Sequence, residues 1–138
     1  MSQPAGQSGP VETMMESDAA LRMFGIELAD YGDGWARAQM TVRNDMVNGH
    51  GICHGGVIFA LADTAFAYAC NSWGPVTVAA GAEIAFIAPG RLGDVHVAEA
   101  RLRARYGRNG LYDVAVTRDG ELVAEFRGRS HEMRERRP

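Results

Sequence analysis

Seventeen consecutive residues, Val57 to Trp73, are nearly all apolar, and no other feature constrains the fold as strongly. Their Ala, Leu and Phe content favours helix over strand. Apolar side chains lie on every side of that helix, so it must be wrapped by protein rather than laid on a surface. Gly74-Pro75 stops it. A helix from His54 to Trp73 is roughly 30 Å long at 1.5 Å per residue, comparable to strands of about ten residues. The rest of the chain has to supply a sheet that curls around it.

The flanking sequence can do so. Residues 1–10 are Gly, Ser, Gln and Pro with little else, and are expected to be disordered. Residues 11–24 read as a short amphipathic helix ending at Gly25. Tyr31-Gly32-Asp33-Gly34 is a turn, and Trp35–Arg43 alternates as a half-buried strand, so a strand or two precede the long helix. Asn44–Cys53 has no period and reads as a loop. Four strands follow the helix: Thr77–Ile87, apolar enough to be central, then Asp94–Tyr106, Leu111–Arg118 and Glu121–His131. Asp119-Gly120 between the last two is a two-residue hairpin signal. The expected class is α+β, an antiparallel sheet wrapped around one central helix, in a single domain over 11–133 with a tail at 134–138.

At 138 residues, with 46% hydrophobic and 22% charged residues, the chain is a single globular domain rather than a disordered one. A net charge of −3 argues against a dedicated nucleic-acid binder. No apolar run reaches the roughly 18 residues of a membrane span, and the start lacks a secretory pattern. Two cysteines, Cys53 and Cys70, make no disulfide framework, so the expected compartment is the cytoplasm. All fourteen basic residues are arginine, whose guanidinium fork suits phosphate.

Asp63 stands in the middle of the apolar helix. Its neighbours one turn away are Phe59, Ala60, Phe66 and Ala67, so no arginine of its own helix can pair with it. Burying such a carboxylate costs free energy or raises its pKa, which marks it as a candidate catalytic group. At the helix start, Gly55 and Gly56 leave bare N–H groups that favour a negatively charged oxygen. Asp63 lies eight residues after Gly55, roughly 12 Å along the axis. One reacting carbon cannot touch both groups of the same helix, so a site using both requires a second copy of the chain. The preceding loop carries Asn48, His50, Cys53 and His54. The cluster His50, Cys53, His54 lacks a fourth ligand for zinc, and a Cys53 nucleophile would need one of the histidines as its base. The Asn48 amide suits orienting a water or substrate.

Asn48-Gly49-His50-Gly51, His54-Gly55-Gly56 and Ala62-Asp63-Thr64-Ala65-Phe66-Ala67-Tyr68-Ala69-Cys70-Asn71-Ser72 together resemble the phenylacetic-acid-degradation (PaaI-type) thioesterases of the hotdog fold. The resemblance runs from about Leu21 to His131, with Phe86-Ile87-Ala88-Pro89-Gly90 and Phe126-Arg127-Gly128 as weaker anchors. It implies hydrolysis of acyl-coenzyme A thioesters, phenylacetyl-coenzyme A or its relatives among them, with no metal or cofactor. Asp63 would be the catalytic carboxylate, the Gly55 N–H would polarise the thioester carbonyl, Asn48 would position water or substrate, and His54 would support the loop. Gly56, Thr64, Phe66, Gly81, Arg108 and Asn109 would face the substrate, Phe66 in the acyl pocket and Arg108-Asn109 toward the phosphates, with Arg91, Arg127 and Arg129 as further phosphate candidates. Family members form homodimers with sites at the interface, commonly paired into tetramers. Some relatives carry an assisting hydroxyl on the strand after the helix, where this chain has Ala79-Ala80-Gly81-Ala82. Two other functions fit the residues less closely: a hotdog hydratase or dehydratase pairing Asp63 with His50 or His54, and a non-catalytic acyl-thioester binder.

Overall fold

The computed structural model describes residues 9–133. Residues 1–8 of the segment expected to be disordered over 1–10, and the tail 134–138, therefore lie outside the described residues, while Gly9 and Pro10 already open the first helix. Helices α1 (Pro10–Ser17) and α2 (Ala19–Met23) lead into the hairpin β1 (Glu27–Gly32) and β2 (Trp35–Thr41). A 3-10 turn, Asn44–Met46, and a loop precede α3 (Gly55–Cys70). Strands β3 (Thr77–Phe86), β4 (Val95–Tyr106), β5 (Asn109–Arg118) and β6 (Glu121–Glu132) complete one six-stranded sheet in the order β1-β2-β4-β5-β6-β3. Every pairing is antiparallel. No helix among the described residues is long and apolar enough to cross a membrane.

The helix expected over 11–24 begins at Pro10 and breaks into two at Asp18. The Asp18 carboxylate accepts the Leu21 N–H at 3.0 Å and so starts a second helix. Its other oxygen accepts the Tyr68 hydroxyl at 2.9 Å, which pins the break to α3. The long helix ends three residues before Trp73. There the Asn71 amide donates to Ala67 O and Thr77 O and accepts the Thr77 N–H, stapling the helix end to β3. The Asp119-Gly120 hairpin forms as expected, with both residues at positive φ, 48° and 81°.

The inner face of the sheet is built from small residues, Ala36, Ala38, Ala98 and Ala100, all with no exposed surface, and this lets α3 approach the strands closely. Phe66 fills the remaining space. Its ring lies edge-on to Tyr112, tilted against Phe126, and over Gly128, where an added Cβ would meet it at 2.7 Å. Phe66→Ala is expected to cost about 3–5 kcal/mol, the usual loss for emptying a filled aromatic site. Urea unfolding should show a lower midpoint with an unchanged slope.

Two expectations need correcting. Strand β3 is not central: it lies at the sheet edge, bonded only to β6, with Val78 45% and Phe86 54% exposed. Its apolar run read as a buried strand, yet within one chain it offers unpaired backbone and apolar side chains to solvent. Nor is α3 wrapped on all sides. Gly56 is exposed, and Ala60, Asp63, Thr64 and Ala67 are only half-buried, so one stripe of the helix stays partly open.

Candidate active site

The loop before α3 is ordered by its own backbone. The Asn48 side-chain oxygen accepts the N–H of His50 at 2.9 Å and of Ile52 at 3.3 Å. The Asn48 N–H donates to Ile52 O, and Gly51 reverses the chain at φ 78°. Cys53 N–H donates to Gly90 O at 2.8 Å, tying this loop to the segment after β3. Between them lies a cleft of about 380 Å³, bounded by Asn48, Ile52, Cys53, Gly55 and Ile58 on one side and Phe86–Gly90 on the other. Apart from Asn48, its walls are apolar or backbone.

Helix α3 opens directly into this cleft. His54 is its extended N-cap, and its carbonyl already takes the N–H groups of Val57 and Ile58. Gly55 and Gly56 N–H groups have no acceptor among the described residues, as a helix start dictates. The Phe86 ring covers Gly55 so closely that a Cβ there would sit 3.0 Å from it. Any side chain at this position would press against that ring at the mouth of the cleft.

Asp63 projects from the half-open stripe of α3, two turns beyond Gly55. Burial alone pushes its carboxyl above the ordinary carboxylate range, and no cation or donor among the described residues offsets it. It does not line the cleft of its own chain. The Thr64 hydroxyl beside it donates to Ala60 O at 2.7 Å, committing its proton to the helix.

The structure thus brings Asn48, Gly55 and the backbone of His54 together and holds Asp63 apart from them. The His54 and His50 side chains are exposed. Gly56 is exposed on the helix start. Phe66 lies in the core, not on the cleft wall. Gly81 sits at a bulge in β3, beneath the Arg129 guanidinium, which a Cβ would displace. Arg108 and Asn109 lie at the far end of α3, sharing a shallow recess with Cys70 and Trp73, and Asn109 bonds His131 at 3.0 Å. Arg127 is held by both oxygens of Asp113, at 2.8 and 3.2 Å. Burial pushes the Cys53 thiol up to about 11, too high to supply a nucleophilic thiolate near neutral pH. Among the described residues no three His, Cys, Asp or Glu side chains are grouped to hold a metal ion.

One group escaped the sequence reading. His96 has no exposed surface and neither ring nitrogen has a hydrogen-bond partner among the described residues. The signal was present: His96 shares the inward alternation of Ala98 and Ala100, so it is a titratable side chain on a buried face, as Asp63 is.

A family model, the thioesterase superfamily, matches residues 50–125, the span that holds Asp63 and all of the cleft but Asn48. Acyl-coenzyme A thioesterase PaaI of Escherichia coli is 44% identical over 134 residues, 96% of this chain and 94% of the relative. The solved structure of the E. coli PaaI protein, from the phenylacetic acid degradation operon, superposes with a TM-score of 0.88 at 43% identity, covering 90% of this chain and 91% of that one. A variant of the phenylacetic acid degradation protein PaaI from Thermus thermophilus gives a TM-score of 0.82 at 34% identity, covering 84% and 100%. A sheet of this order packed on one long helix, matched in sequence and in structure across nearly the whole chain, settles the family: the chain belongs to the thioesterase superfamily, in its hotdog-fold, PaaI-type branch.

Proposed function

We propose that the chain hydrolyses acyl-coenzyme A thioesters, phenylacetyl-coenzyme A and its ring-hydroxylated forms first among them, at sites shared between two copies of itself. The observation that carries this reading is the separation of a half-buried, unpaired carboxylate, Asp63, from a helix start whose free N–H groups suit an oxyanion. Two α3 helices lying antiparallel would place each Asp63 beside the other chain's Gly55. The open edge of β3 supplies a means of association, since pairing two such edges continues the sheet and covers Val78 and Phe86. Such dimers would pair again into a tetramer, in the cytoplasm.

In the reaction, the thioester carbonyl points at the Gly55 N–H and the Asn48 amide contacts the substrate or water. Asp63 of the other chain either takes a proton from water as the water attacks the carbonyl carbon, or attacks that carbon itself and is then freed by water. The negative charge gathers on the former carbonyl oxygen, where the helix start stabilises it. Collapse expels the coenzyme A thiolate, which is protonated, and leaves the free acid. No metal or cofactor is invoked. Ile52, Ile58, Phe86, Ile87 and Pro89 form an apolar cleft suited to an aromatic ring. Arg108 and Asn109, remote from their own cleft, would lie near the other chain's cleft and its phosphates.

A thiol-release assay over a panel of coenzyme A thioesters tests the substrate class. Aryl-acetyl substrates are expected to give the highest kcat/KM. A preference for straight-chain acyl groups would overturn that assignment. Loss of enoyl absorbance without free thiol would select the hydratase reading, and tight binding with no turnover the binding-module reading.

A further inference from the structure

His96 lies directly behind the cleft. It faces Gly90, where an added Cβ would meet the ring's Cε1 at 2.5 Å and Cys53 Cβ at 3.0 Å. Gly90 and Cys53 are both cleft residues, joined by a backbone hydrogen bond. Beside the ring, one oxygen of Asp94 lies 3.8 Å from Nε2, too far for a hydrogen bond. That same oxygen accepts the Arg91 N–H at 2.8 Å and Arg118 Nη1 at 2.7 Å. Arg118 Nη1 in turn donates to Pro89 O at 3.2 Å. The turn that walls the cleft, from Pro89 to Asp94, is held by backbone bonds from Cys53 to Gly90 and between Val42 and Gly93 and Asp94, and its only side-chain brace among the described residues is one carboxylate oxygen and its Arg118 partner, with a partnerless imidazole next to them.

We propose that neutral His96 is a positioning residue for the acyl cleft, and that its protonation draws Asp94 away from Arg118 and the Arg91 amide and so displaces the Pro89–Gly90 wall. The charged groups facing the ring are Asp94 at the start of its own strand and Arg118 from β5, itself held by Glu121; Cys53 from the loop flanks the same Gly90 that the ring faces. Strand β2 contributes only Met40, opposite His96 in the register. Burial holds the imidazole below its ordinary value, while Asp94 pulls the other way. A charged ring gains a carboxylate only by competing with Arg118.

The idea deepens the thioesterase reading, because it takes the cleft to be the acyl site. Two measurements decide it. With phenylacetyl-coenzyme A, wild type is compared with His96→Leu from pH 8 down to 5, so that a ring held below its ordinary value is brought into its titration. Asp63 titrates in both proteins, so the ratio of their KM values isolates His96. That ratio should rise about 5- to 10-fold as the pH falls, with the kcat ratio nearly constant, as expected when only substrate binding is disturbed. On the wild-type protein, the Gly90 amide NMR shift should titrate with the midpoint of the His96 ring protons. A flat KM ratio, or a Gly90 amide that ignores the His96 titration, would overturn the proposal. The NMR measurement needs neither turnover nor a folded variant, so it tests the coupling of His96 to the cleft wall even if no thioester is hydrolysed.

Discussion

Asp63→Asn is expected to lower thioester hydrolysis by at least about 10³-fold while the sheet and α3 remain intact, the scale of loss when a positioned catalytic base or nucleophile is removed. Asparagine keeps the shape and loses the negative charge. It can neither take a proton from water nor attack a carbonyl carbon. The substrate contacts proposed at Gly55, Asn48 and the apolar cleft lie elsewhere, so the loss should appear in kcat far more than in KM. Steady-state kinetics beside a circular dichroism spectrum checks both halves of this result.

The same substitution carries a stability signature that an ordinary surface carboxylate would lack. Burial raises the folded-state pKa of Asp63 above its unfolded value near 3.8. The ionised form is therefore disfavoured by folding. Its cost is full above the folded pKa, shrinks as the pH falls through that value, and vanishes below the unfolded one. At pH 7 Asp63→Asn should resist urea better than wild type, and the gap should close toward pH 4. A variant that is inactive and yet more stable is what a functional group held against its solvation preference produces.

Much of this was legible in the residues because α3 leaves few choices. An apolar run of that length, stopped by Gly74-Pro75, has to be a helix packed on a sheet, and the alternation after it has to be that sheet, although one stripe of the helix stays partly open. Asp63 stood out because no neighbour on its own helix could neutralise it. The expectation of a second chain rests on helix rise alone. What stayed hidden depended on contacts between distant segments. The break at Asp18 is set by Tyr68, fifty residues away. Strand β3 reads as central because apolar content suggests burial, yet it lies at the edge of this chain with Val78 and Phe86 exposed. Phe66 was placed in the acyl pocket by resemblance, while Gly128 opens the space in which its ring settles in the core. His96 was overlooked although its strand alternation placed it inward.

The second large effect arises when two dead proteins are mixed. Gly55→Val, whose side chain would run into the Phe86 ring and fill the cleft mouth, should be inactive, as Asp63→Asn should be. Neither can supply a whole site. A hybrid dimer can: one of its sites collects both lesions, and the other receives Asp63 from the first chain and an open Gly55 cleft from the second. Random exchange makes half the dimers hybrid with one good site of two, so activity should return to about a quarter of wild type. Native mass spectrometry of the mixture verifies that hybrids have formed. Recovery near a quarter is the predicted result; hybrid dimers that remain as inactive as their parents would show that each chain uses its own Asp63, or none, and would contradict the shared site.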